Sequence, residues 1–255
     1  MKKKNSASPM VIIKAQSAAV LSECGNRLLL IEAIAFCFLT VPLYYALYTL
    51  CGVISTLTPE HLVLVWEIAY LLLAFLQTLF LTLPLCMGVF WIAGMLEEGQ
   101  DAVLADVFYA FGASWRYLRA LHVSWRLLVV CAPLIVVLYF APWLLSMLIP
   151  LAWAVDLVMW VLRLVVLLGL FLLLYARFGL VAETVWEELD FERSRCVARI
   201  SRRRQRACAG AFVRSYIGRI LLGLLSVGIL LLLDTLPHML IAYFRACRYL
   251  DDSTI

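Results

Sequence analysis

The chain has 255 residues, of which 65% are hydrophobic and 15% are charged. Soluble domains average about 45–50% apolar and about 25% charged residues, so this composition excludes an ordinary soluble domain and indicates an integral membrane protein. The formal net charge is only +4, and the densest basic stretch, from Arg193 to Arg206, contains no aromatic residue. These features argue against nucleic acid and favour anionic lipid as the partner of that stretch.

The sequence begins with a basic segment that contains Lys2, Lys3, Lys4 and Lys14. The first long apolar run starts only at Leu28, which is too late and too long for a cleaved signal peptide. We therefore expect the start of the chain to be retained. Residues 10–24 mix apolar and small side chains at helical spacing, which predicts an interfacial helix whose lysines lie on the inner side of the membrane.

Two apolar runs follow, over residues 28–53 and 62–96. The first corresponds to about 39 Å of helix at about 1.5 Å per residue, enough to cross a hydrocarbon core of about 30 Å. Pro42 and Pro84 are expected to kink these two spans. The loop between them, residues 54–61, contains no Lys or Arg and is therefore predicted to lie outside.

An amphipathic pattern then covers residues 103–118. Its apolar side chains recur at three- and four-residue steps and are Leu104, Val107, Phe108, Phe111, Trp115 and Leu118. This spacing predicts a helix that lies in the inner headgroup region with its aromatic side towards the lipid.

Further apolar runs cover residues 127–149, 151–175 and 217–244, and the basic segment 177–216 forms the main cytoplasmic loop of the predicted topology. The predicted fold is an all-α polytopic transmembrane bundle of about five spans, a single integral membrane domain over residues 1–255 with its N-terminus inside. Only Arg245 and Arg248 oppose this orientation. They either snorkel at the outer interface, or the last run folds back and places the tail inside.

Ionisable residues within spans are the first functional candidates, because each costs about 2.5–3.5 kcal/mol at the bilayer centre on insertion scales. We hypothesise that Arg163 pairs with Asp234 or Glu67 and that the acids line an outward-facing polar cavity. The alternative is a buried ion pair that only fixes helix packing. The predicted intramembrane polar cluster is Glu67, Asp156, Arg163 and Asp234, and the residues predicted to contact anionic lipid are Arg199, Arg202, Arg203, Arg204 and Arg206.

Catalytic and metal-binding motifs are missing from the sequence. The eight cysteines form no CxxC pair, the three histidines fall in separate segments, and no HExxH, Ser/His/Asp or glycine-rich phosphate loop occurs. We therefore expect no catalytic residue, no metal site, no cofactor and no disulfide framework.

Several short motifs suggest a family. They are Lys14-Ala15, Pro84-Leu85-x-x-Gly88, Asp106-Val107-Phe108-x-x-Phe111, Ser194, and Gly228-Ile229 through Pro237 to Tyr243. In this order they resemble the bacterial integral membrane proteins grouped as domain of unknown function 975, with Pro237-His238 where that pattern has Pro-Tyr. The resemblance covers most of the chain. It implies a helical fold in the bacterial cytoplasmic membrane and carries no established activity.

The sequence thus predicts a non-enzymatic, multi-pass protein of the cytoplasmic membrane that acts as an accessory, assembly or lipid-interacting component. A membrane protein partner or a second copy of the chain is a further expected contact. The alternative is a small transporter or permease subunit, which proline-broken spans and intramembrane charges would suit. A membrane enzyme that acts on lipid ranks third because no catalytic constellation is present.

Overall fold

The structure is a computed structural model that describes residues 9–23, 25–59, 62–129, 202–226 and 229–252, together with residues 133, 158, 185 and 188. These residues are helical apart from short turns and contain no strand, which confirms the all-α prediction. The α-helices are α1 (Pro9–Ser22), α2 (Asn26–Phe38), α3 (Val41–Thr56), α4 (Val63–Gln77), α5 (Leu83–Glu97), α6 (114–129), α7 (Arg202–Leu225) and α8 (Leu236–Asp252). Two π-helical turns, Thr78–Thr82 and Leu231–Thr235, and one 3-10 helix, Leu104–Phe111, complete the described part.

A long helical hairpin dominates the first hundred residues. One arm is Asn26–Thr56, which contains α2 and α3, and the other includes Ile68–Glu97. Both arms are long and apolar enough to cross a membrane, in agreement with the first two predicted spans. The α-helix of the first arm is interrupted at Leu39 and Thr40, just before Pro42. In the second arm a π-helical turn precedes Pro84. The α-helix is therefore interrupted near both prolines that were expected to kink the spans.

The two ends of the hairpin have different surroundings. We call one end the base: it comprises α1, the 3-10 helix, α7, α8 and the parts of α2 and α5 that they contact. The main hydrophobic core lies there, and its fully buried side chains include Leu30, Ile92, Val107, Phe212, Tyr216 and Phe244. Away from the base, α3 and α4 pack mainly against each other and leave large apolar side chains exposed.

The amphipathic stretch 103–118 is not one helix. A 3-10 helix ends at Phe111, the chain bends at residues 112–113, and α6 begins at residue 114. The Asp106 carboxylate starts the 3-10 helix by accepting a hydrogen bond from the Val103 N–H at 2.8 Å. Val107 is buried against α5, whereas the aromatic side chains of Phe108, Phe111 and Trp115 stay exposed.

Residues 217–244, predicted as one span, are divided in the structure between α7 and α8. The chain turns back near Ser226, because Gly223 packs directly against Leu231 and the side chain of Arg219 reaches Asp234. The last apolar run therefore folds back on itself, as one of the two alternatives for Arg245 and Arg248 requires. The described part of the predicted basic loop, residues 202–216, is helical and continuous with the rest of α7. The predicted spans 127–149 and 151–175 lie outside the described residues except for 127–129, 133 and 158.

Candidate functional site

The triplet Thr-Leu-Pro occurs twice, at residues 82–84 and 235–237, and each copy completes a π-helical turn. Proline has no N–H, so the carbonyl four residues before it loses its α-helical donor. Those carbonyls belong to Phe80 and Leu233. A side chain from another helix satisfies each of them: Tyr117 Oη donates to Phe80 O at 2.9 Å, and the guanidinium of Arg27 donates to Leu233 O.

Asp234 lies inside the second π-helical turn, beside the carbonyl that Arg27 holds. Arg27 Nη2 is 3.1 Å from Asp234 Oδ1, Arg219 Nη1 is 3.9 Å from Oδ2, and His238 Nε2 is 3.9 Å from Oδ1. The hypothesised partner of Asp234, Arg163, lies outside the described residues. Sequence analysis missed Arg27 because it stands at the edge of an apolar run, where a basic residue carries only a topological meaning.

Lys14 of α1 adds a third cation to this region. Its ammonium group donates a hydrogen bond to the Ser215 carbonyl and lies 4.5 Å from the centroid of the Tyr216 ring. Partial burial and the nearby Arg219 charge lower the pKa of Lys14 below its usual value. We define the cationic patch as Lys14, Arg27 and Arg219 together with the single carboxylate of Asp234.

A second ion cluster joins the end of α5 to α8. The Glu97 side chain is fully buried, and its Oε1 lies 3.2 Å from Arg248 Nη1 and 3.5 Å from Arg245 Nε. Arg248 Nη2 also lies 3.5 Å from Glu98 Oε2. The two arginines that opposed the predicted topology are thus counter-ions of an acid at the end of the second apolar helix.

A third cluster surrounds Tyr109 in the 3-10 helix. The Tyr109 ring stacks on Trp91 with ring centroids 4.0 Å apart, and the guanidinium of Arg116 lies 4.6 Å from the centre of the same ring. Glu188 accepts hydrogen bonds from both Tyr109 Oη and Arg116. Burial and the Glu188 carboxylate raise the pKa of Tyr109 well above its usual value.

Only one polar cluster among the described residues lies along the two apolar helices, where both are interrupted. Tyr44 Oη is 2.7 Å from Thr78 Oγ1 and 2.9 Å from Thr82 Oγ1, and Gln77 Nε2 donates to the Thr40 carbonyl at 3.0 Å. π-helical turns and broken helices are frequent at functional sites. Sequence analysis missed this cluster because it searched for charges.

The remaining predicted site residues are placed only in part. Asp156, Arg163 and Arg199 lie outside the described residues. Glu67 lies in α4, and Arg202, Arg203, Arg204 and Arg206 lie in the first two turns of α7, but their side chains are outside the described part. Among the described residues, no group of His, Cys, Asp or Glu side chains is arranged to hold a metal ion.

Fold and clusters together define an all-helical protein with two helices long and apolar enough to cross a membrane. Comparison with protein-family models, curated proteins and solved structures gives no match. The resemblance to the bacterial membrane protein family therefore stays a prediction.

Proposed function

We propose that this chain is a non-enzymatic, multi-pass protein of a bacterial cytoplasmic membrane that acts as a lipid-interacting accessory or assembly component. Its two described apolar helices would cross the bilayer, and its base would lie at the inner interface. The predicted spans 127–149 and 151–175 would add two further crossings.

One observation carries the proposal: the distribution of charge and exposure along the hairpin. Neither residues 33–59 nor residues 68–96 contain a charged residue. In the first arm, only 22% of the 18-residue stretch with high mean hydropathy is buried inside the protein. Exposed side chains of this kind, such as Leu50, Val53 and Leu72, would be unfavourable in water and suit a lipid environment.

The ion clusters of the base support the orientation. Arg27 lies at the start of the first arm and contacts the π-helical turn before α8, and Glu97 ends the second arm and contacts α8 itself. With α8 at the same end of the hairpin, Arg245 and Arg248 would lie on the inner side with the other basic residues. The proposal thus replaces an outer C-terminal tail with an inner one and changes the predicted five crossings to four.

Carbonate extraction and topology mapping test this proposal together. After a wash at high pH, the full chain should remain in the membrane fraction and should dissolve only in detergent. A protease site added after Ile255 should be protected in intact spheroplasts and cut in inverted vesicles, whereas one inserted in the loop after Thr56 should behave in the opposite way. Release by carbonate, or cleavage of both sites from the same side, would contradict the proposal.

A small transporter is the second candidate, and the Tyr44–Thr78–Thr82 cluster favours it. Hydroxyl groups at two facing helix interruptions are a common way to offer hydrogen bonds within a bilayer. The test is solute or ion flux in proteoliposomes that contain the full chain, Tyr44→Phe or Thr82→Val. Flux that both substitutions reduce, with no loss of folded protein, would favour transport over an accessory role.

A further inference from the structure

We propose that the cationic patch binds the phosphate of an anionic phospholipid whose acyl chains lie against the aliphatic side chains beside the patch. This inference rests on the proposed function, because it requires the base to lie at the membrane interface. It assigns a lipid site to Lys14, Arg27 and Arg219, which are distinct from the arginines of residues 199–206.

The charge of the patch is the first argument. Arg27 and Arg219, from α2 and α7, contact the one carboxylate of Asp234, and Lys14 of α1 lies close enough to Arg219 to feel its charge, so positive charge remains uncompensated within the cluster. Arg27 and Arg219 are both about half exposed, with side-chain accessibilities of 48% and 46%. A phosphate group can therefore approach them from outside without displacing buried protein.

The arrangement of donors is the second argument. Arg27 is oriented by the Leu233 carbonyl and by Asp234, so its guanidinium is held in place before any ligand arrives. Arg219 lies 3.9 Å from the nearest Asp234 oxygen, which is beyond hydrogen-bond distance. Its guanidinium therefore remains available to turn towards a phosphate, for which it offers a planar pair of donors.

The neighbouring apolar surface identifies the source of the phosphate as a lipid. Leu28 follows Arg27 and is 60% exposed, and Leu222 lies one helical turn after Arg219 and is also 60% exposed. Leu233, which immediately precedes Asp234, and Leu230, four residues before Asp234, are exposed as well. Arg27 stands in the first turn of an apolar helix long enough to cross a membrane, which is the depth of the headgroups. A soluble phosphate would gain nothing from these leucines.

The experiment measures phospholipid binding to the full chain in mild detergent by native mass spectrometry and by titration of mixed micelles. Phosphatidylglycerol should bind with a saturable stoichiometry, and phosphatidylcholine should not compete. Arg219→Gln should weaken phosphatidylglycerol binding about fivefold, as expected for one basic residue near an anionic surface. Asp234→Asn should strengthen it, because the substitution removes the only carboxylate of the patch.

Arg214→Gln provides the matched control. Arg214 is exposed on the same helix and carries the same charge, but it is five residues from Arg219 and hence about 140° around the helix. We expect less than a twofold change for this variant. Opposite effects of Arg219→Gln and Asp234→Asn cannot arise from unfolding, which would weaken binding in both.

Three outcomes would overturn the lipid site. Equal losses for Arg214→Gln and Arg219→Gln would mean general surface electrostatics. Displacement of phosphatidylglycerol by inorganic phosphate at matched concentration would mean a site for soluble phosphate. Equal binding of phosphatidylcholine would exclude recognition of charge. Each of these results is compatible with a protein that resists carbonate extraction, so the lipid site can fail while the proposed function stands.

Discussion

The Arg27 guanidinium donates two hydrogen bonds to the Leu233 carbonyl, from Nε at 3.2 Å and from Nη2 at 3.1 Å. This contact joins α2 to the π-helical turn before α8, across more than two hundred residues of sequence. Leu233 precedes Pro237 by four residues, so the arginine supplies the donor that the proline lacks. Tyr117 has the same relation to Phe80 and Pro84 in the other Thr-Leu-Pro copy.

A double-mutant cycle tests this relation. Arg27→Met should lower the free energy of unfolding by about 1 kcal/mol, the usual net contribution of such hydrogen bonds. In a Pro237→Ala background, where residue 237 again has an N–H, the same substitution should cost less than half as much. Unfolding in one detergent checks both values. Arg219→Met is the control, because it removes a charge but no hydrogen bond to a carbonyl, and it should lower the free energy of unfolding equally in both backgrounds. If Arg27→Met also has the same effect in both backgrounds, Arg27 does not replace the donor that Pro237 lacks.

Gly88 is predicted to be essential for the contact between α5 and the 3-10 helix. A Cβ atom on this residue would stand 1.8 Å from the Val107 carbonyl oxygen, and both partners are backbone segments that cannot rotate away. Gly88→Ala should therefore destabilise the protein by about 3 kcal/mol or prevent folding. Gly52→Ala in α3 is the control, because nothing lies within 4 Å of its Cβ position. It should be neutral or stabilising by up to about 1 kcal/mol in thermal unfolding.

The helical class and the first two apolar helices could be predicted from the sequence, because both depend on composition and run length. The positions of the two helix interruptions followed from Pro42 and Pro84, because proline removes a backbone donor locally. Even the two motifs that contain Gly88 and Val107 were visible in the sequence. Their contact was not, because nothing local indicates that the backbone after residue 103 turns back onto α5.

The charged contacts of the base could not be predicted, because each depends on tertiary structure. Asp234 was predicted to be an intramembrane acid within the last span, and the turn near Ser226 instead places it beside Arg219 and Arg27. Arg248 opposed the predicted topology, and nothing local in the sequence indicated that it lies beside Glu97. A repeated Thr-Leu-Pro triplet was the one available signal for the paired π-helical turns.

Two carboxylate-to-amide substitutions should differ in their effect on stability, because the two carboxylates differ in burial. Glu97→Gln removes a buried carboxylate and leaves Arg245 and Arg248 without their shared counter-ion, so it should cost about 3 kcal/mol. Asp234→Asn acts on a carboxylate that is 38% exposed, where water replaces the lost partner, and should cost about 0.5 kcal/mol. Chemical denaturation of the three proteins in one detergent gives the comparison. Equal losses would show that the Glu97 cluster is more hydrated than its geometry indicates.

The raised pKa of Tyr109 predicts a specific loss of stability at alkaline pH. Burial and the Glu188 carboxylate raise the pKa of the folded phenol above the ordinary value of 10.0. The neutral phenol is therefore favoured by folding, and its contribution is complete below pH 10.0 and is lost as the pH rises from there towards the folded pKa. Tyr109→Phe cannot ionise, so its free energy of unfolding should fall less steeply above that pH than that of the unmodified protein. Tyr45→Phe serves as the control, because Tyr45 is exposed and should leave the slope unchanged. If Tyr109→Phe and Tyr45→Phe both leave the pH dependence of the free energy of unfolding unchanged, the prediction is wrong. Tyr109 then ionises in the folded state like a phenol in water, and its contact with Glu188 does not form.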